Sequence, residues 1–389
     1  MHFEISDIFP WLAAFLAAWV SARVIVATKN WHGRLSMDTD SGVQKFHEAP
    51  TPRVGGVALL IGLLAALPFL SAEIFPIMAL MLLCGVLAFV AGLAEDITKS
   101  VSPAARLLAA LLSGLMFVAL AGVLHPLAEP LVPQGSGTFV EYLIYGLGGL
   151  GIVIGLAGTT NAVNIIDGFH GLAAGSLIIM SSTIAGLAIW QGDTALALVA
   201  FVFAAAVGGF MVVNFPRGEL FFGDAGAYLA GFMVGAMAVL LAARTDVSAF
   251  VSILIMAYPV YETLFSIVRK TKRSGHSPSQ PDGVHLHMLV SRRYARFLAY
   301  GLGRPDLKNP ITGAMMWPFS LVATALAVFA QGTSVGGVIG LVIFAVFYGR
   351  VYRVVSLQRP SFLQRRAMAW GWNEAERYRT PTPQKTGGV

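Results

Sequence analysis

Eleven apolar stretches of about 17 to 25 residues follow one another along the chain, near 8–28, 54–71, 75–94, 104–124, 142–160, 171–190, 194–213, 225–243, 248–268, 314–330 and 334–350. A backbone in hydrocarbon must satisfy its own N–H and C=O groups, so nearly uncharged stretches of this length are expected to be helices that cross a bilayer. The chain is 56% hydrophobic and only 12% charged, with a mean hydropathy of +0.73, far from the soluble average. The sequence therefore predicts an all-α, polytopic integral membrane protein with about eleven transmembrane helices. The opening residues, MHFEISD, hold no Lys or Arg, so the first stretch is expected to remain as a span and not to be a cleaved signal peptide. Cys84 is the single cysteine and lies in an apolar stretch, which leaves no intramolecular disulfide and no thiolate metal cage.

An odd number of spans places the two ends on opposite sides, and basic residues decide which is which. With the N-terminus outside, every Lys and Arg except Arg23 and Arg244 falls on inner connections or the inner tail, as the positive-inside rule requires. The net charge of +6 then reflects orientation in a bilayer, and no nucleic-acid partner is expected. Residues 1–355 form the membrane domain. Residues 356–389 are a basic cytoplasmic tail whose Trp370 and Trp372 suit an interfacial segment, with an unstructured tail as the alternative.

The inner connections 29–53, 95–103, 161–170, 214–224 and 269–313 carry every polar cluster of interest, so one membrane face should hold them all. In NAVNIIDGFHGLA, Asn161, Asn164 and Asp167 recur every third residue, which puts them on one stripe if the preceding helix continues. Gly168 and Gly171 then allow a turn and close approach of a ligand, although Asn, Asp and Gly also suit an ordinary loop. The adjacent acids Glu95 and Asp96 invite a metal or proton-transfer role, or are a solvated loop start. Asp224, after Phe221 and Phe222, is either a helix N-cap or a metal-binding carboxylate beside a ring on which a base could stack. His285 and His287 make an incomplete zinc site and are better read as hydrogen-bond donors to phosphate or as proton carriers, with Arg292 and Arg293 close behind, while either one alone also suits a surface loop. Lys45, His47 and Arg53 form a basic cluster that serves as orientation charge or as a phosphate clamp. Oxygen ligands without thiolates suit Mg²⁺ or Mn²⁺, and Mg²⁺ commonly bridges substrate phosphates.

GLAEDITK, NAVNIIDGFHGLAAG, FFGDAGAYLAG and PDGVHLHML together resemble the motifs of the polyprenyl-phosphate N-acetylhexosamine-1-phosphate transferases, over about Lys45 to Arg293. The resemblance implies Mg²⁺-dependent transfer of a sugar 1-phosphate from a UDP-sugar to undecaprenyl phosphate, with release of UMP, at the cytoplasmic face of a bacterial inner membrane. It implies that Asp224 and Asp96 hold the metal and that Glu95, Asp96, Asp167, Asp224, His285 and His287 are catalytic. It places Lys45, Asn161, Asn164, His170, Phe221 and Arg292 in substrate binding, with the ring of Phe221 under uracil. Beyond the two substrates and the lipid bilayer, a homodimer is left open as a partner. The sequence departs from the family pattern at Glu95, His170, Ala227 and Met288, where Asp, Asp or Asn, Ser, and a third His are usual.

A polytopic transporter is the alternative from another class, suited by many helices and 42 glycines. Against it, the span interiors hold few ionisable groups, Glu262 being the chief exception, and no internal repeat is visible. The topology is tested by external cysteine labelling in a Cys84→Ala background. A cysteine placed at Gln134 should react and one at Ser279 should not; the reverse pattern overturns the orientation.

Overall fold

The computed structural model describes residues 8–38, 51–123, 139–271, 284–330 and 332–357, and these are almost wholly helical. In chain order the helices are α1 (Ile8–Ala27), α2 (Lys29–Ser36), α3 (Gly55–Ala66), α4 (Phe75–Thr98), α5 (Pro103–Val123), α6 (Phe139–Ile166), α7 (Leu172–Trp190) and α8 (Thr194–Asn214). They continue as α9 (Gly223–Arg244), α10 (Ala249–Ile255), α11 (Ala257–Thr271), α12 (Leu286–Val290), α13 (Arg296–Gly301), α14 (Lys308–Phe329) and α15 (Ser334–Ser356). The only strands among the described residues are β1 (Met37–Asp38) and β2 (Thr51–Pro52), an antiparallel pair that aligns Met37 with Pro52 and Asp38 with Thr51.

Each of the eleven apolar stretches is helical, but they are not eleven equal spans. Nine helices among the described residues are long and apolar enough to cross a bilayer. The stretch at 54–71 gives only the short α3 and one further 3₁₀ turn, ending at Phe69. The stretch at 248–268 breaks after Ile255, and α10 and α11 meet at 81°. Hydropathy counts apolar residues and carries no direction, so a broken helix and a straight one look alike. α11 also has polar residues on one side, among them the buried Glu262 and Ser266, which a uniformly lipid-facing span would not carry.

The helix at the centre is α9, which packs on α3, α4, α5, α6, α7, α8 and α10. Its sequence explains why: from Gly223 to Leu241 nearly every residue is small or apolar, with no polar face to turn outward. Small residues also let its neighbours approach closely, the usual device where lipid offers no hydrophobic drive between helices. A Cβ at Gly56 would lie 2.3 Å from the backbone nitrogen of Gly226, and one at Gly92 2.5 Å from that of Ala225. On the other side of the bundle, Ala14, Ala18 and Ala22 of α1 are fully buried, and α1 packs against α3 and α8.

Because the atoms facing Gly92 are backbone, no rotamer change could relieve an added methyl. Gly92→Ala should therefore separate α4 from α9 and lower the melting temperature in detergent, with a cost of about 1–3 kcal/mol typical of overpacking. Gly148→Ala, at a site with open space around it, is the matched control and should melt like the parent protein. Equal melting of the two variants would show that the α4–α9 contact is not tight.

Candidate active site

The N-terminus of α9 is where the functional residues gather, and a carboxylate from another helix builds it. Asp96, on the last turns of α4, is fully buried. Its Oδ1 accepts the N–H of Asp224 at 2.9 Å and its Oδ2 accepts the N–H of Ala225 at 2.9 Å. Asp96 thus caps α9 from outside, satisfying donors that the first turn of a helix always leaves over and facing the positive end of its dipole. Gly223 makes this possible: its φ is +69°, and a Cβ there would meet the Arg53 carbonyl and the Asp96 carboxylate. The sequence alternative that Asp224 itself caps α9 is not what the structure shows, since no side chain of α9 does so.

Relieved of that task, the Asp224 carboxylate faces a cavity of about 380 Å³. Arg53 Nη2 approaches its Oδ1 at 3.3 Å, Asn164 Nδ2 donates to the same oxygen at 3.0 Å, and Arg106 Nη1 donates to Oδ2. Arg53 is delivered by a short backbone seam: Phe221 N–H donates to Pro52 C=O, and Gly55 and Gly56 donate to the carbonyls of Phe221 and Phe222, each at 2.9 Å. The seam also seats Phe221 at the cavity wall. Arg106 comes from the second turn of α5, where it is the sole Lys or Arg.

The opposite wall is the turn after α6. Asn164, Asp167, Gly168, Phe169 and His170 line it. The Asp167 carboxylate makes no hydrogen bond among the described residues, and burial pushes its pKa well above the ordinary value near 3.8, against the attraction of Arg53. His170 Nδ1 donates to the Pro216 carbonyl at 3.1 Å, and its ring lies 5.7 Å from that of Phe221 at 34°. Asn214 ties the two walls together: its Oδ1 accepts the Gly171 N–H at 2.7 Å and its Nδ2 donates to the Leu220 carbonyl at 2.8 Å.

His285 and His287 close the third side, their rings stacked at 5.3 Å and 10°. His287 is fully buried, and neither of its ring nitrogens has a hydrogen-bond partner among the described residues. Burial holds its pKa down to about 4, so at neutral pH it is an uncharged imidazole and not a phosphate-binding cation.

The structure therefore brings Glu95, Asn164, Asp167, His170, Phe221, Asp224, His285 and His287 to one cavity at one end of the bundle. Others expected there are placed differently. Asp96 sits behind the wall as the cap of α9. Asn161 turns its amide back onto the Ala157 carbonyl at 2.8 Å, and Arg292 is exposed on the π-helical turn after α12. Glu95 lines the cavity while its Oε2 accepts the Val101 N–H at 2.8 Å, which orders the α4–α5 turn. Lys45 and the basic tail lie outside the described residues. Arg106, Asn214 and Asn309 line the cavity without having been singled out in the sequence. For Arg106 the signal was present, as a lone cation in an otherwise apolar helix.

Among the described residues no three His, Cys, Asp or Glu side chains come together as an all-protein metal cage. The carboxylates that line the cavity are Asp224, Asp167 and Glu95, oxygen donors with no thiolate, which fits Mg²⁺, an ion that commonly takes one or two carboxylates plus substrate phosphates.

Comparison with known proteins places the chain in a family. Residues 78–242 match the sequence model of glycosyl transferase family 4. A probable undecaprenyl-phosphate N-acetylglucosaminyl 1-phosphate transferase of Bacillus subtilis is 29% identical over 261 residues, covering 67% of this chain and 69% of the relative. A decaprenyl-phosphate N-acetylglucosaminephosphotransferase of Mycobacterium tuberculosis is 30% identical over 331 residues, covering 72% and 78%. An undecaprenyl-phosphate alpha-N-acetylglucosaminyl 1-phosphate transferase of Yersinia pestis is 29% identical over 303 residues, covering 75% and 77%. Similarity of this extent, with the motif residues converging on a single cavity, makes the chain a member of glycosyl transferase family 4, the polyprenyl-phosphate N-acetylhexosamine-1-phosphate transferases.

Proposed function

We propose that this protein transfers N-acetylglucosamine 1-phosphate, or a closely similar N-acetylhexosamine 1-phosphate, from a UDP-sugar to undecaprenyl phosphate. The reaction releases UMP at the cytoplasmic face of a bacterial inner membrane and starts a cell-envelope polysaccharide. The observation that carries this is the pairing of Asp224 with Arg53 and Arg106 in the lining of the cavity. A site that must hold a diphosphate needs cationic groups for the phosphates and a carboxylate for their counter-ion, and these three side chains supply both.

In the proposed reaction an oxygen of the lipid phosphate attacks the β-phosphorus of the UDP-sugar, and the oxygen bridging the two phosphorus atoms leaves with UMP. The acceptor is a phosphate monoester with a second pKa near 6, so it is already largely dianionic at neutral pH and needs alignment more than deprotonation. Arg53 and Arg106 are placed to neutralise the equatorial oxygens, and Phe221, with His170 beside it, offers a ring face to the base. Asn164 holds the Asp224 carboxylate in one orientation by its hydrogen bond. Asp167 supplies a carboxyl group that takes a proton more readily than an ordinary aspartate. Neutral His287 offers an N–H or a lone pair without adding charge. Mg²⁺ held by Asp224 would supply charge neutralisation of the diphosphate and of the leaving UMP.

Purified protein given undecaprenyl phosphate, Mg²⁺ and UDP-N-acetylglucosamine should release UMP, and EDTA should stop it. Solute accumulation in sealed vesicles with no UMP from any UDP-sugar would replace the transferase reading with transport. Asp224→Asn and Arg106→Gln should each lower kcat by about 10²–10³-fold, the effect of removing one preorganised charge contact. Near-normal turnover in either variant would remove that residue from the site.

The raised pKa of Asp167 has a defined sign: the group keeps its proton at pH values where an ordinary aspartate has lost it. If the carboxylate is the active form, activity should fall as pH is lowered through that raised value. Asp167→Asn should abolish this limb and leave only that of the lipid phosphate near pH 6. An unchanged acid limb in Asp167→Asn would show that Asp167 does not titrate in turnover.

A further inference from the structure

Behind the two histidines lies a buried carboxylate to which the preceding account gives no task. Glu262, on α11, is 1% exposed. Its Oε1 accepts the backbone N–H of Leu286 at 2.7 Å and the Nδ1–H of His285 at 3.2 Å, and lies 3.7 Å from Nδ1 of His287. Its Oε2 accepts the hydroxyl of Tyr348, on α15, at 3.0 Å. Three donors converge on one side chain, and none of its neighbours demands a proton from it, which is the environment of an ionised carboxylate. Two turns further along α11, Arg269 donates to the Val284 carbonyl, which also accepts the Tyr352 hydroxyl at 3.0 Å. Residues 284–286 are thus strapped to α11 and α15 from both sides.

We infer that Glu262 is a positioning residue for the transfer reaction, acting through His285; this rests on the function proposed above. The carboxylate can only accept, so His285 must present Nδ1–H to it, which fixes the tautomer. Nε2 is then the nitrogen that His285 offers to the cavity it lines. His287 turns its Nδ1 edge toward Glu262 at 3.7 Å without a hydrogen bond, and its Nε2 lies 3.8 Å from where a Cβ of Gly168 would be, beside the turn that carries Asp167. A buried imidazole with no fixed neighbour could rotate about χ2 and offer either nitrogen or carbon. Glu262 removes that freedom for His285.

The competing account is purely architectural, in which Glu262 only fastens α12 and α15 to α11. Glu262→Gln separates the two, because glutamine keeps the size, an acceptor for Leu286 and a polar end for Tyr348, and loses only the charge. With UDP-N-acetylglucosamine and undecaprenyl phosphate, Glu262→Gln should lower kcat about 10- to 100-fold at unchanged donor KM, the scale seen when an outer partner of an oriented histidine is lost. The loss should vanish on a His285→Gln background, since a residue acting through His285 has nothing left to act on. A glutamine variant as fast as the parent, or losses that multiply in the double variant, would overturn the inference. Tyr348→Phe, which loosens the carboxylate without removing it, gives an independent arm: a smaller loss of about 3- to 10-fold, again only while His285 is present. A readout free of turnover is the ¹⁵N spectrum of histidine-labelled protein, with His285 assigned by its substitution. His285 should carry its proton on a strongly hydrogen-bonded Nδ1, and Glu262→Gln should weaken that signal's hydrogen-bond shift; no change there would show that the carboxylate does not hold the ring. UMP release by the parent protein tests the transferase reading separately from this spectrum.

Discussion

The contact between the Asp96 carboxylate and the first turn of α9 is the constraint on which the site depends. A carboxylate with no solvent exposure is costly to bury unless its charge is answered, and here two helix N–H groups, the dipole of a 22-residue helix and Arg53 at 3.9 Å answer it. The same contact fixes α4 and α9 along their axes, because the two hydrogen bonds go to consecutive residues and Gly92, one turn back on α4, touches the backbone beneath them. Once that register is set, Asp224 can project only toward the cavity. Arg53 then follows from the backbone seam between residues 52–56 and 221–222, and Arg106 from the packing of α5 beside α4.

The result is a division of labour among carboxylates that look alike in sequence. Asp96 holds architecture, Asp224 faces two guanidiniums, Asp167 stands without a hydrogen-bond partner among the described residues, and Glu95 orders a turn at the cavity edge. Their environments, not their chemistry, set them apart. Electrostatic catalysis requires charges held in place before the reacting groups arrive, and Asp224 meets that requirement, braced by Arg53, by Arg106 from α5 and by Asn164 from α6.

Much of this was legible before the structure. The long apolar runs gave the helical class and most of the spans, and the inner connections gave the convergence of Asn164, Asp167, Phe221, Asp224, His285 and His287, because loops on one side of a bundle share one end of it. What was not legible depended on direction and partnership. The break between α10 and α11 leaves no mark on hydropathy. A three-residue repeat suggested that Asn161 joins Asn164, yet each such step falls about a sixth of a turn short of the helical period, so about a third of a turn separates Asn161 from Asp167, and Asn161 bonds its own helix. Arg106 was read as an orientation charge because a sequence shows where a cation is and not what it faces. Which acid of the Glu95–Asp96 pair points inward was likewise a matter of helical phase, and the phase was set by α9, a segment more than a hundred residues away.

The backbone contacts beneath the carboxylates also bear on how such a protein can diverge. Where Gly56 meets Gly226 and Gly92 meets Ala225, no side chain stands between the helices to absorb a change by repacking. That part of the molecule behaves as a keyed joint, which either fits or does not. His170 and Phe221 stand outside that joint, and their side chains can change without touching the helix backbones that form it. Variation in what the cavity accepts is therefore channelled into side chains such as these, while the backbone seam and the joint stay fixed.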